Sequence, residues 1–334
     1  MSADINSRGE IIRLTDANGT PRISGPANVL HMYKDVPRKF DAWDIDSMYE
    51  SQPVTLEDDS TVSIIEQTPW KCTLRVTRHF SGSDWQQDIS LQYDRARLDF
   101  ATHVDWHEKH RLLKVAFPTG IHADEGINEM QFGYVKRPTH RSRPYDADRF
   151  EVCNHRYTAL CDENRGAAVL NDCKYGVSML GDEITLTLLR AATAPDLHAD
   201  EGVHDFTYSY YVWDGPMMTS DVVRQGYELN VPVTEAAGYA EDASLLQVDA
   251  PNIIIDTVKA AEDGSGDIVL RLYECKHADT SAKLTINLPF NSVSLCDMLE
   301  NEQEQLTTDG SSINLHFHCF EIKTVRVGLS KQGE

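Results

Sequence analysis

KCTLRVTRHFSGSDWQQDISLQYDRARLDFATHVDWHEKHRLLKVAF, residues 71–117, decides the fold. Within it, KCTLRVTRHF (71–80), DISLQYD (88–94), ARLDFATHVDW (96–106) and HRLLKVAF (110–117) are consecutive runs rich in β-branched and aromatic residues. The first three alternate apolar with polar, the period of a chain that presents successive side chains to opposite faces of a sheet, and HRLLKVAF follows them as the next strand. In TLRVTRHF this parity is expected to turn Leu74, Val76 and either His79 or Phe80 toward a core, and Arg75 and Arg78 toward solvent or a partner.

The same pattern continues on both sides. GEIIRLTDANGTPRI (9–23) reads as a strand, a turn at Asn18-Gly19 and a second short strand, because Asn-Gly accepts the positive φ of a tight hairpin. DAWDIDSMYE (41–50) and the polar, Pro-containing THRSRPYDAD (139–148) interrupt the pattern and read as surface loops. Helical periodicity is nearly absent. Many strands at a spacing of roughly 8–12 residues predict a large two-sheet sandwich. Composition shifts in VTEAAGYAEDASLLQVDAPN (233–252), which places a domain boundary between about Pro232 and Ser244. PNIIIDTVKAAEDGSGDIVLRLYE (251–274), SAKLTINL (281–288), SVSLCDML (292–299), SSINLHFH (311–318) and EIKTVRV (321–327) then form a second, smaller sandwich of immunoglobulin-like size. The expected fold is all-β, with a large domain over residues 1–235 and a small one over 245–330.

A formal net charge of -22 would repel phosphate backbones and anionic lipid, which argues against nucleic acid and membrane surfaces as partners. A neutral polyhydroxylated ligand is compatible with it. Seven cysteines, odd in number and never spaced Cys-x-x-Cys, argue against a disulfide framework or a zinc knuckle and for reduced thiols in a cytoplasm. The N-terminal MSADINSRGEIIRL lacks an apolar core of signal-peptide length, and no run approaches a membrane span.

Two histidine-rich stretches invite a metal reading. HVDWHEKH (103–110) lies between two alternating runs, so His103, His107 and His110 span a strand end and a turn, where that spacing does not converge. In HFHC (316–319), His316 and His318 share one face of a strand, but no third ligand is nominated by the sequence. The 53 acidic residues are too many for a catalytic pair to be picked by inspection, and no phosphate cradle or nucleophile elbow is present.

LNDCKYGVSMLGDEITLTLLR (170–190) differs in kind. Asn171 and Asp172 follow the apolar run AAVL, Lys174, Tyr175 and Gly176 complete a polar corner, and Arg190 ends the next strand. Beyond it, APDLHADEGVHDFTYSYY (194–211) is rich in His, Asp and Tyr. Such strand ends can gather at one rim and offer directional hydrogen bonds to sugar hydroxyls. The plainer alternative is that Asn171 and Asp172 cap a turn and Arg190 makes a structural ion pair.

FGYVKRPTHR (132–141), FEVCNHRYTAL (150–160), AAVLNDCKYGVSML (167–180), LTLLRAATAPD (186–196) and DEGVHDFTYSYY (200–211) together resemble the C-terminal half of glycoside hydrolase family 38 α-mannosidases. NVLHMYKDVPRKFDAWDID (28–46), VDWHEKHRLLKVAFP (104–118), PNIIIDTVKAAEDGSGDIVLRLYE (251–274) and FEIKTVRV (320–327) resemble the same region, in order along the chain. The resemblance implies a mutarotase-like super-sandwich followed by a small C-terminal sandwich. It also implies an N-terminal catalytic domain, with an Asp nucleophile and a zinc held by His and Asp, and a helical bundle, none of which this sequence matches. On that basis the chain is expected to start inside the sandwich region, at GEIIRLTD, and to lack hydrolase activity by itself.

In the family, hydrolysis retains configuration, with a carboxylate nucleophile, a carboxyl acid and zinc on the mannose hydroxyls. The sandwich supplies a wall of that pocket, including an Arg on a strand end that Arg190 matches. Asn171, Asp172, Lys174, Tyr175, His204 and the acidic Asp41, Asp44 and Asp46 are the further rim candidates. No catalytic residue and no metal is assigned to this chain. The expected partners are an α-mannoside or oligosaccharide and the catalytic domain, with a homo-oligomer left open. Two other readings are a stand-alone carbohydrate-binding or scaffold protein and an aldose-epimerase-like enzyme with a His acid facing a Glu base.

Overall fold

The computed structural model describes residues 1–238 and 243–330, so residues 239–242 of the expected interdomain connection lie outside the described residues. The chain forms two units, Met1–Met130 with Val135–Pro232, and Gln131–Tyr134 with Val233–Glu334.

The first unit is the large sandwich. Its nine-stranded sheet runs, in spatial order, Gly133–Pro138, Glu125–Met130, Tyr157–Cys161, Arg165–Asn171, Gly202–Asp214, Arg97–Trp106, Ser83–Gln92, Lys71–Phe80 and Asp58–Gln67. A six-stranded sheet of Val152–Cys153, Gly176–Leu180, Glu183–Leu189, Arg111–Pro118, Val29–Lys34 and Pro53–Val54 packs on it, and Ser2–Ile5 pairs with Ile11–Thr15. The first three runs quoted at the start thus become one antiparallel meander, Phe80 facing Ser83 across a two-residue turn and Asp84 facing Asp105, while HRLLKVAF crosses to the six-stranded sheet. Glu108, buried in HVDWHEKH, holds that turn by accepting from Ser81 Oγ, Gly82 N and Ser83 Oγ at 2.9, 3.1 and 2.9 Å.

Between the sheets the rings of Phe117 and Tyr210 stack with centroids 5.1 Å apart, and those of Phe100 and Tyr208 at 5.0 Å. Each fully buried side chain of this size contributes about 1.5–3 kcal/mol through the apolar area it removes from water. The tyrosine hydroxyls are not orphaned: Tyr208 donates to Asn28 Oδ1 at 2.7 Å and Tyr210 to the Arg22 carbonyl at 2.9 Å. Gly166 is required opposite Trp213, because a Cβ there would fall inside the indole ring.

The second unit is a small sandwich of a three-stranded sheet (Leu246–Val248, Thr280–Ile286, Ser312–Phe317) and a five-stranded one (Ile253–Ala260, Ile268–Glu274, Ile322–Leu329, Phe290–Cys296, Glu302–Gln305). Leu270, Leu284, Ile286, Phe317, Val325 and Val327 fill its core. The architecture is all-β, a large super-sandwich and a small sandwich.

Four local expectations are corrected. Arg78 lies inside, 5% exposed, with its guanidinium 5.7 Å from the Phe80 ring centroid, because the parity that buries Val76 and Phe80 also takes residue 78. His79, on the opposite parity, is exposed. After Asn18-Gly19 there are only two isolated bridges, Thr15 to Pro21 and Ile11 to Ala27, and Ile11–Thr15 forms its ladder instead with the N-terminal strand. The 139–148 loop contains a one-turn helix, Pro144–Ala147, and VVRQGYELN forms the helix Val222–Asn230, which the sequence reading missed. All seven cysteines are free, and no helix among the described residues is long and apolar enough to cross a membrane.

Candidate functional site

Strand register collects several chain ends at one end of the large sandwich. Arg97–Trp106 stops there opposite Gly202, where Gly202–Asp214 begins. In the other sheet Glu183–Leu189 and Val29–Lys34 stop where Arg111–Pro118 starts. Trp106 Nε1 ties the two sheets together by donating to the Arg190 carbonyl at 2.9 Å.

Arg190 leaves its strand at this end and is mostly buried. Its Nε donates to Asp35 Oδ2 at 2.7 Å, and its terminal nitrogens donate to the carbonyls of Asp41, Ala42 and Asp44 at 3.0, 3.3 and 2.6 Å. The guanidinium fork thereby clamps the 35–46 loop at four points. Burial raises the Asp35 carboxyl above its ordinary range, outweighing the pull of Arg190. Asp41 turns its own carboxylate inward, accepting from Thr193 N and Ala194 N at 2.8 and 3.1 Å, with His110 Nδ1 at 3.6 Å. Burial acts to raise Asp41, but these donors and His110 hold it below its usual value.

The clamp has an outward consequence. Phe40 and Trp43, on the clamped loop, are 68% and 74% exposed, with Val36, Met48 and Leu197 also exposed. Trp43 N and Asp44 N donate to the Phe40 carbonyl at 2.8 and 2.9 Å, so the aromatic pair sits on an ordered turn. Asp44 and Asp46 carboxylates accept from Ile45 N and Met48 N, both at 3.0 Å, and shape the same loop.

The remaining candidates form a separate group. Asn171, 1% exposed, donates to Asn154 Oδ1 and the His155 carbonyl at 2.8 and 2.9 Å and accepts from Lys174 N at 2.9 Å. Asp172 Oδ2 accepts from Thr207 N at 2.8 Å. Asn171 and Asp172 therefore hold the turn together, while the Lys174 ammonium lies 4.4 Å over the Phe206 ring. Burial lowers Lys174. Tyr175 is half exposed beside the His155 ring, and His204 is partly buried with Nε2 2.7 Å from the Asp200 carbonyl. The structure thus brings Arg190, Asp41 and Asp44 into one network and Asn171, Asp172, Lys174 and Tyr175 into another. His103, His107 and His110 do not converge: each has a different acidic neighbour, Asp205, Asp105 and Asp41 respectively.

One feature of the six-stranded sheet was not nominated from the sequence. Lys114 stands alone in the apolar run RLLKVAF and is 1% exposed, paired with Glu151 and 3.1 Å from Ser178 Oγ. Tyr49 donates to Glu151 Oε1 at 2.8 Å, and Arg141 grips Glu50 with two bonds of 2.7 and 2.6 Å. Lys114, Ser178, Tyr49, Glu50 and Arg141, together with Tyr33 and Glu183, line a cavity of about 210 Å³. Burial pushes Lys114 down despite Glu151, and Tyr49 up. A lone lysine within an apolar strand was the available signal. Such a cavity offers paired donors and acceptors at fixed directions, the chemistry that holds hydroxyl groups.

Comparison with known proteins gives a consistent result. The family described as glycosyl hydrolases family 38 C-terminal domain matches residues 1–198, and the glycosyl hydrolases family 38 C-terminal beta sandwich domain matches residues 252–325. Alpha-mannosidase G of Dictyostelium discoideum is 34% identical over 345 aligned residues, 98% of this chain and 32% of that protein. Alpha-mannosidase 2C1 of Homo sapiens is 34% identical over 312, covering 90% and 30%. The chain spans about a third of the length of these relatives. Among solved structures, an alpha-mannosidase from Enterococcus faecalis V583 superimposes with a TM-score of 0.78 at 17% identity over 97% of this chain and 41% of that one, which shows a common fold.

Proposed function

The chain belongs to the C-terminal region of glycosyl hydrolases family 38, and from that premise we propose that it is the carbohydrate-facing, non-catalytic part of a retaining, zinc-dependent α-mannosidase. In this reading the nucleophile, the acid and the zinc ligands belong to a catalytic domain outside these residues, and the 334 residues alone do not turn over substrate. Its partners are that domain and a terminal α-mannoside. The seven free thiols support a reducing compartment.

The observation that carries the reading is the Arg190 clamp. A wall that closes a sugar pocket, or docks the domain that contains one, needs side chains presented at fixed positions, and four bonds from one guanidinium hold Phe40 and Trp43 outward on the rim. Assaying the chain with an aryl α-mannoside and added zinc is expected to give no hydrolysis, whereas robust turnover would refute the assignment. A stand-alone sugar-binding protein is the second reading, favoured by the polar cavity at Lys114. Calorimetric titration with mannose or mannobiose separates the two: saturation lost in Lys114→Met supports it, and absence of heat supports the first.

A further inference from the structure

The two histidines of HFHC acquire a third neighbour that lies far away in sequence. His316 and His318 flank Phe317, which is fully buried and anchors the end of the strand Ser312–Phe317. Antiparallel register sets Thr280 opposite Phe317 and Ser281 opposite His316, so Asp279 arrives beside His318. His318 Nδ1 is 3.0 Å from Asp279 Oδ1, the two imidazole centroids are 5.2 Å apart, and one ligating atom from each of the three residues lies within 4.8 Å of the others.

We propose that Asp279, His316 and His318 form a surface site for a divalent transition metal of the Zn²⁺ type. Two imidazoles and one carboxylate are a donor set suited to Zn²⁺ and its neighbours, in contrast to the all-oxygen sets of Mg²⁺ and Ca²⁺. With metal–ligand bonds of about 2.0–2.1 Å, tetrahedral ligands stand roughly 3.3 Å apart, so small side-chain rotations complete the site from the present spacing. Supporting contacts are in place: Ser281 Oγ lies 3.3 Å from His316 Nδ1, and Glu321 Oε2 accepts from His318 N at 2.8 Å. Asp279 and His318 are 66% and 74% exposed, which leaves the fourth position to water and allows metal to enter without unfolding the chain. The site stands on residues of the second unit and is independent of the mannosidase reading.

The test is titration of the full chain with Zn²⁺ alone by calorimetry, and with Co²⁺ followed by absorption. One metal per chain is expected, with affinity reduced more than about tenfold in His316→Ala and in His318→Ala, and weakened in Asp279→Asn. Far-UV circular dichroism checks that these exposed substitutions leave the fold intact. Cys319→Ser separates this donor set from a thiolate site, since Cys319 is exposed and adjacent in sequence. Unchanged binding in Cys319→Ser supports the site. Absence of saturable binding, equal affinity in the double histidine variant, or a Co²⁺–thiolate charge-transfer band lost in Cys319→Ser would overturn it.

Discussion

Removing Arg190 tests whether one side chain organises the rim. In Arg190→Ala, Asp35 keeps a carboxylate that is 2% exposed and loses the donor 2.7 Å away. Breaking a buried pair by deleting one partner costs about 3–5 kcal/mol, because the remaining charge is left uncompensated. Arg190 is 17% exposed, so water enters the vacated space and the expected loss lies near the lower figure, about 3 kcal/mol. The three carbonyls it also holds sit on a solvent-facing loop and rehydrate at little further cost. The sign with pH follows from Asp35, whose folded carboxyl is already raised by burial. Without Arg190 it rises further, so the penalty is largest near neutral pH and shrinks as acid protonates the group. Urea unfolding of the wild type and variant at neutral pH and near pH 5 measures this. Hydrogen exchange at the Trp43 and Asp44 amides, both bonded to the Phe40 carbonyl, reads the loop separately, which matters because the chain's two units need not unfold together. Arg190→Ala combined with Asp35→Asn is expected to recover part of the loss. A deficit under about 1 kcal/mol, no pH dependence, or unchanged amide protection would show that Arg190 is not the clamp.

Gly166→Ala is expected to destabilise by about 1–3 kcal/mol through overpacking against Trp213. Adding Trp213→Ala should cost less in that background than alone, and a fully additive double variant would refute the clash. Lys114→Ala leaves Glu151, 12% exposed, without its buried cation and is expected to cost about 3–5 kcal/mol in denaturant unfolding. The same substitution in a Glu151→Gln background should cost clearly less, and equal losses would show that the pair is not coupled. Asp16 is held at about 2, first by the Thr20 N–H and then by Arg22 and Asn18. Being depressed, it contributes stability that is present above its unfolded value and lost as pH falls toward about 2; an NMR titration midpoint near 4 would contradict this.

Strands were legible where one face meets core and the other meets water, as in ARLDFATHVDW, whose Leu98, Phe100, Val104 and Trp106 are all buried. Period two alone cannot say which polar residues on the inner parity stay inside, and that is why Arg78 was set outward although its parity is that of Val76 and Phe80. The helix Val222–Asn230 was hidden by its shortness and by Gly226, which closes against Arg156 and Tyr157 and so serves packing at the expense of helix propensity. Lys114 shows a deeper limit. Local patterning assigns the outer face of a strand to solvent, yet Tyr49 and Glu151, from segments 65 and 37 residues away, cover it and turn an outward lysine into a buried one. The rim repeats the lesson at Arg190. A strand-end arginine was visible in LTLLR, but its four acceptors come from residues 146 to 155 positions earlier. Sequence pattern therefore names the residue types a site draws on, whereas nonlocal closure decides whether a given one faces a ligand or holds the loop that does.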